Sequence, residues 1–227
     1  MDRILLEVIV QTVSDARQAT RGGADRLEVV RSIRDGGLTP PLSLVRAISQ
    51  ETPLPLRVMV RENAGYAMQP EELPRLRAAA AEFHALGVDG IVIGFAEHGQ
   101  LALDDVRRVL DAAPELRVTF HRAFDQLHDP VNAMDELVRV TSIDRILTDG
   151  GGGDAVSRCR RLTAYRARAG ARLEILAGGG VDEGIFAHLA GTGCVREIHV
   201  GRIAREGDDP EGAVSADRVR RLRDLAG

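Results

Sequence analysis

Leu5-Leu6-Glu7-Val8-Ile9-Val10 is an apolar run of strand length that carries a carboxylate inside it. Side chains alternate along a strand, so Leu6, Val8 and Val10 share one face while Glu7 lies on the other. An open doubly wound sheet has helices on both sides and favours strands that are apolar on both faces. A closed barrel accepts one apolar face under its helices and a polar face inside. The run therefore favours the closed barrel.

Eight strand-like runs occur along the chain, and a helix-length segment follows each of them. The runs lie at residues 5–10, 26–30, 56–60, 90–93, 117–120, 145–147, 173–176 and 197–200. The helical segments lie at residues 14–21, 42–49, 71–86, 104–113, 131–140, 155–168, 182–189 and 216–225. This strict alternation predicts one α/β domain over residues 1–227, a single (β/α)8 TIM barrel with its active site at the carboxyl ends of the strands.

The composition excludes several kinds of chemistry. All thirty basic positions are arginine, so a lysine Schiff base and a Walker-type phosphate loop are excluded. A net charge of −4 without any basic run predicts no nucleic-acid partner. The apolar runs are strand-sized and no signal peptide is evident, which predicts a cytoplasmic protein without membrane contact. The cysteines, Cys159 and Cys194, are too few for a disulfide framework.

Charged residues on the inward strand faces are candidates for a site, because charges inside a barrel are costly unless they are paired. Four of them lie near strand starts and are interpreted as a structural network: Arg26, Arg57, Arg117 and Glu197. The predicted catalytic residues are His121, Glu28, Glu7 and Asp125. His121 would be the acid/base group, and Glu7 or Glu28 would orient it or act as a second carboxylate. Asp125 could instead cap the next turn and pair with Arg122.

Two glycine-rich loops follow the seventh and eighth strands, where TIM barrels with phosphorylated substrates bind phosphate. The predicted substrate-binding residues are Arg61, Arg122, Thr148, Gly178, Gly179, Gly180, Gly201 and Arg202. Arg61 and Arg122 would clamp a small anion, since guanidinium groups match carboxylate and phosphate. The alternative is that the glycines only form tight turns.

A metal ion is an alternative partner, and no cofactor is assigned. The sequence contains no HxH, HExxH or paired CxxC motif, and neither cysteine lies on an inward strand face. A soft Cu(I) thiolate site therefore has no evident ligands in the barrel. Glu28, His121 and His199 could converge as a mixed nitrogen and oxygen site for a harder divalent ion.

Two strings, Gly36-Gly37-Leu38-Thr39-Pro40 and Thr119-Phe120-His121-Arg122-Ala123-Phe124-Asp125, resemble the CutC family, which is named for copper homeostasis. Further matching stretches lie at residues 6–8, 22–28, 58–61, 145–148 and 178–181, so the resemblance runs from about residue 5 to residue 202. It implies a cytoplasmic barrel, often a homo-oligomer, that is assigned to copper handling. It implies no particular reaction.

The chain departs from the family pattern at its thiols. Ile9, Val30 and Met68 stand where family members often carry cysteine, so direct Cu(I)-thiolate binding loses its ligands. The first hypothesis is a CutC-like protein of copper homeostasis. The alternative is an enzyme that uses acid/base chemistry on a small anionic or phosphorylated metabolite, and a non-catalytic ligand sensor is a third possibility.

Overall fold

The strands close into an eight-stranded parallel barrel in a computed structural model that describes residues 3–227. The barrel strands are β1 (Leu5–Val10), β2 (Arg26–Val29), β3 (Leu56–Met59), β4 (Gly90–Ile93), β5 (Arg117–Phe120), β6 (Ile143–Thr148), β7 (Glu174–Ala177) and β8 (Glu197–Val200). Each strand pairs with the next one in sequence, and β8 closes on β1 with Glu7 beside His199. The predicted (β/α)8 barrel is confirmed.

One helix follows each strand and covers the outside of the barrel. The helices are α1 (Val13–Gly22), α2 (Leu42–Glu51), α3 (Leu73–Leu86), α4 (Leu103–Leu110), α5 (Pro130–Val138), α6 (Ala155–Ala169), α7 (Glu183–Thr192) and α8 (Ala216–Leu225). Their ends differ from the predicted ends by a few residues, because caps and turns set them. Asp154 and Asp182, for example, cap α6 and α7 by accepting a backbone N–H from the first turn. Within residues 3–227, every helix is too short or too polar to cross a bilayer.

The hydrophobic core lies between the barrel and its helices. Leu6, Val8 and Val10 are fully buried on the outward face of β1, as the alternation predicts. Val118 and Phe120 do the same on β5. Burial of one large aliphatic or aromatic side chain contributes about 1.5–3 kcal/mol, so this shell supplies most of the driving force for folding.

The inward faces carry ion pairs at the amino-terminal end of the barrel. Arg57 donates two hydrogen bonds to Asp144, at 3.0 and 2.7 Å, and one to Asp89 at 2.7 Å. Arg26 bonds Glu197 at 2.5 Å and also bonds Glu7. We call this set the interior ion-pair network: Glu7, Arg26, Arg57, Asp89, Asp144, Arg145 and Glu197. The structural interpretation of Arg26, Arg57 and Glu197 is confirmed, and Arg117 joins from the rim through Asp89.

Gly22 lies at a tight contact between the first and last helices. A Cβ atom at Gly22 would lie 2.4 Å from the Cβ of Val219 on α8, whereas a Cβ at Gly191 in α7 would meet no heavy atom of residues 3–227 within 4 Å. G22A is therefore expected to lower the free energy of unfolding by about 1–3 kcal/mol, because α1 and α8 must separate. G191A should be neutral or stabilising by up to about 1 kcal/mol, since alanine favours a helix. Urea unfolding followed by circular dichroism measures both, and equal stabilities would contradict this packing.

Candidate functional site

A cavity of about 300 Å³ opens at the carboxyl ends of the strands. Its volume is at the lower end of the range for small-molecule sites. The polar lining consists of Glu28, Arg61, Tyr66, His121, Arg122, His199 and Arg202. The rest of the lining is mostly apolar side chains and glycines from the loops after β2, β7 and β8. The predicted position of the site at this end of the barrel agrees with the cavity.

Glu28 is a buried carboxyl group on β2, with 2% of its surface exposed. Its Oε2 lies 3.6 Å from Nε2 of His199, and its Oε1 has no hydrogen-bond partner among residues 3–227. Burial raises the pKa of Glu28 to about 7, although the nearby His199 and Arg26 oppose the shift. Glu28 can therefore both hold and release a proton close to neutral pH.

His199 links Glu28 to the interior ion-pair network. Its Nδ1 lies 2.7 Å from Oε1 of Glu7, whose other oxygen bonds Arg26. Burial acts against charge on the imidazole, but Glu28 and Glu7 together raise the pKa of His199 above its ordinary value. Burial likewise acts against charge on Glu7, but Arg26 and His199 hold its pKa far below the usual range. Glu7, a predicted catalytic residue, thus lies outside the cavity lining and positions the His199 ring through their hydrogen bond.

His121 follows β5 and accepts a hydrogen bond through Nδ1 from the backbone N–H of Ala123, at 3.1 Å. This bond places the proton of the neutral ring on Nε2, which has no partner among residues 3–227. Burial, with Arg61 next in weight, lowers the pKa of His121 to about 3. At neutral pH the ring is an uncharged hydrogen-bond donor. Its surroundings favour that role over the predicted acid/base role.

The two arginines predicted to clamp an anion are both engaged by the protein. The Arg61 guanidinium donates to the carbonyls of Gly36 and Gly65, at 3.1 and 3.2 Å, and also to Ala64. It lies 4.7 Å from the centre of the Tyr66 ring, so Arg61 ties together the loops after β2 and β3.

Arg122 lines the cavity but is paired from behind. It donates to Asp125 and to Asp149, each at 2.8 Å. Asp125 accepts in turn from the Thr148 hydroxyl at 2.5 Å. Asp125 and Thr148, predicted as a catalytic and a binding residue, therefore hold Arg122 in place and do not line the cavity.

The loops after β7 and β8 present backbone N–H groups. Gly179 has a φ of +90°, and a Cβ there would lie 2.6 Å from the Arg122 guanidinium carbon, so only glycine fits. The carbonyls of Gly179 and Gly180 accept from Arg158, at 2.7 and 3.4 Å. The N–H groups of Gly179, Gly180 and Gly201 have no acceptor within residues 3–227. These loops therefore match the predicted anion site in chemistry.

Two further loop positions complete this end of the cavity. Gly178 donates its N–H to the Thr148 carbonyl and packs tightly against His199, so it supports the loop from outside the lining. The Arg202 side chain is exposed at the rim and pairs with no carboxylate of residues 3–227. Arg202 is thus the predicted arginine whose guanidinium is available to a ligand.

Sequence reasoning missed Arg158 and underrated His199. Arg158 lies on α6, is 3% exposed and fixes the carbonyls of the β7 loop. A helix-side arginine in a chain with thirty arginines gives no signal of this role.

The mixed metal site on Glu28, His121 and His199 gains no support, because residues 3–227 contain no group of three or more His, Cys, Asp or Glu side chains placed to hold a metal ion.

A closed (β/α)8 barrel with a polar cavity at the carboxyl ends of its strands defines the class, a TIM-barrel protein with a ligand-sized mouth. The sequence profile of the CutC family matches residues 4–204, and the chain belongs to that family.

Named relatives cover most of the chain. A family protein CutC from Caulobacter vibrioides is 35% identical over 199 residues, which are 87% of this chain and 80% of that protein. The human copper homeostasis protein cutC homolog is 32% identical over 198 residues, 86% of this chain and 72% of that protein. A solved CutC structure from Streptococcus agalactiae has a TM-score of 0.78 at 23% identity, over 86% of this chain and 97% of that one, and agrees with the fold.

Proposed function

We propose that this chain is an enzyme that binds a small anionic metabolite in the mouth cavity and moves a proton on it with Glu28. The observation that carries the proposal is a pair of buried polar atoms, Oε1 of Glu28 and Nε2 of His121, that have no hydrogen-bond partner in the described part of the chain and belong to residues that line the cavity. Unsatisfied buried polar atoms cost about 1–3 kcal/mol each, and a ligand bound in the cavity could satisfy these two.

The neighbours of Glu28 suit it to acid/base work. A general acid or base is most effective when its pKa lies near the working pH, and burial brings Glu28 to about 7. His199 lies 3.6 Å from Glu28 and stabilises its ionised form. When Glu28 takes up a proton, His199 remains held by Glu7 at 2.7 Å, so the geometry of the pair is kept through the cycle.

The glycine-rich rim would hold the anion. Free N–H groups at Gly179, Gly180 and Gly201 can each donate to an oxyanion, as in backbone anion nests. Arg202 adds a guanidinium that can bind phosphate or carboxylate through two N–H groups. The chain has no lysine, so this charge must come from arginine.

A role in copper homeostasis is what the printed name of the human relative states for that protein. For this chain a direct copper role has less support, because Cu(I) prefers thiolates and the sulfur of the cavity lining belongs to Met59. Cys159 lies on α6 and Cys194 follows α7, both outside the lining. Burial, with Cys159 nearby, raises the pKa of the Cys194 thiol to about 11, which disfavours the thiolate. The cytoplasmic location and the homo-oligomer stay predictions.

The test is a screen of phosphorylated and carboxylated metabolites against the purified full chain, read by thermal shift and by mass spectrometry of products. We expect wild type to bind and convert at least one compound. R202Q should weaken binding about tenfold, the loss of about 1.4 kcal/mol that a charge-assisted contact supplies. E28Q should still bind the compound and lose conversion by about 100-fold or more.

R160Q is the matched control for R202Q, because Arg160 is also exposed but lies on α6 outside the cavity. It should bind as tightly as wild type. The proposal is wrong if no anionic compound shifts the melting temperature, or if E28Q converts the compound at the wild-type rate.

A further inference from the structure

The inner end of the cavity offers one uncharged donor to a ligand. The Nδ1 side of the His121 ring is fixed by the Ala123 N–H, and Tyr66 packs edge-on at 5.4 Å between ring centres. The ring cannot turn to offer Nδ1 without losing that bond. An acceptor atom on a ligand would complete the hydrogen bonding of Nε2–H.

The electrostatics around His121 favour an oxygen that becomes negative during the reaction. The guanidinium groups of Arg61 and Arg122 both oppose protonation of the ring, so it stays neutral while the local potential is positive. Such a donor can hydrogen-bond a developing oxyanion without giving its proton away, and neutral histidines serve this purpose in known enolising sites.

Glu28 supplies the complementary atom. Its Oε1 has no hydrogen-bond partner among residues 3–227, and the cavity that Glu28 lines also has the apolar side chains of Ile9, Val30 and Met59 in its lining. A carboxylate oxygen in a partly apolar cavity suits a substrate C–H bond, because the apolar side chains offer few partners to a polar group. The polar contacts for the remainder of the ligand lie at the rim, at Gly179, Gly180 and Arg202.

We infer that the substrate is a small carbonyl compound with an anionic tail, whose carbonyl oxygen accepts a hydrogen bond from His121 and whose neighbouring C–H faces Glu28. The inference rests on the proposed function and names the substrate class of that same site. This class comprises phosphorylated or carboxylated aldehydes and ketones that carry a hydrogen on the carbon next to the carbonyl.

The proton transfer balances without any further reactant. The ionised Glu28 removes the hydrogen as a proton, and the pair of electrons from the C–H bond forms a carbon–carbon double bond. The carbonyl π electrons move onto its oxygen, and the enolate is held by the His121 N–H. Return of the proton from Glu28 to the same carbon gives exchange or inversion. Where that carbon carries a hydroxyl, transfer of the hydroxyl proton to the enolate oxygen and return of the Glu28 proton to the former carbonyl carbon give an isomer. No oxidant or reductant is consumed in either case.

The experiment is proton exchange in D₂O followed by ¹H nuclear magnetic resonance. The full chain is incubated with dihydroxyacetone phosphate, ribulose 5-phosphate, 2-oxobutyrate and 2-oxoglutarate, and the signal of the hydrogen next to the carbonyl is followed. Wild type should accelerate its loss from at least one compound, and E28Q should slow that loss by about 100-fold or more. Glycerol 3-phosphate, which has no carbonyl, serves as the binding control for E28Q in a thermal-shift assay.

Two variants of His121 distinguish a role of its Nε2–H as a hydrogen-bond donor from a role of the ring in packing alone. H121Q keeps an N–H near the position of Nε2 and should retain part of the exchange rate. H121L removes the donor and should lower kcat by about 100-fold while KM changes little, as for loss of one oxyanion donor.

Three results would overturn the inference. They are binding of the carbonyl compounds without exchange by wild type, wild-type exchange in H121L, and conversion of an anionic metabolite that lacks a carbonyl with no exchange in the panel. The last result leaves the proposed function standing. Failure of every anionic compound to bind or react removes the proposed function together with the inference.

Discussion

Replacing Arg57 with methionine is expected to lower the free energy of unfolding by about 3–5 kcal/mol, a large share of the stability of a single domain. The Arg57 side chain is fully buried and bonds Asp144 through two nitrogens and Asp89 through a third. Methionine fills much of the space but removes the buried cation that joins the two carboxylates, so Asp144 keeps only Arg145 and Asp89 keeps only the exposed Arg117. Urea unfolding of wild type and R57M, followed by circular dichroism, measures the difference.

R117M is the matched control for this substitution. Arg117 bonds the same Asp89 at 2.7 Å, but its side chain is 61% exposed. Solvent-exposed ion pairs contribute about 0–1 kcal/mol, so R117M should cost little. If R57M proved as stable as R117M, the interior ion-pair network would not be a stabilising element of this barrel.

The second large effect is acid destabilisation caused by His121. In the folded chain the pKa of His121 is lowered by burial to about 3, whereas an unfolded histidine titrates near 6.5. Between these values the unfolded chain binds a proton that the folded chain does not. The contribution of His121 to the free energy of unfolding is therefore fully present above pH 6.5. It decreases by about 1.4 kcal/mol for each pH unit below that value.

Glu28 changes the free energy of unfolding in the opposite direction as the pH falls. Comparing wild type with H121Q removes this effect of Glu28. Its pKa is raised from an ordinary value of 4.5 to about 7, so the folded chain binds the extra proton in that window and gains stability on acidification. The difference in unfolding free energy between wild type and H121Q isolates His121, because Glu28 is common to both.

Urea unfolding at pH 7, 6, 5 and 4 should show H121Q becoming steadily more stable relative to wild type. The exposed His98, whose side chain is 91% accessible, supplies the control variant H98Q, which should follow wild type. Parallel pH curves for wild type and H121Q would mean that the His121 ring gains a proton in the folded chain as easily as in water.

The architecture was predictable because apolar and polar side chains alternate along the Leu5–Val10 run, and this alternation indicates which face of the strand is buried. Eight such runs with one helix after each leave few closed arrangements, and the barrel is one of them. The height of each residue within the barrel was not predictable. Glu7 is level with Arg26 and with His199 because of the stagger between strands, and that stagger is set by three-dimensional closure.

The candidate site was predictable in its residue types and less so in their roles. His121, Glu28 and Arg202 line the cavity as their places at strand ends indicate. The protonation states depend on burial and on neighbours from other strands, which a single sequence does not reveal. The availability of an arginine depends likewise on its partners. Arg61 and Arg202 look alike in the sequence, but the Arg61 guanidinium already donates hydrogen bonds to the carbonyls of two loops.

A chain of ion pairs connects the mouth of the barrel to the interior ion-pair network. Its members are Glu28, His199, Glu7, Arg26, Glu197, Arg145, Asp144, Arg57 and Asp89. Arg26, which lies outside the cavity lining, already acts on the pKa of Glu28. The acidity available at the mouth is thus partly set by the interior ion-pair network. Substitutions there can retune the chemistry of the protein while every residue that meets a ligand stays the same.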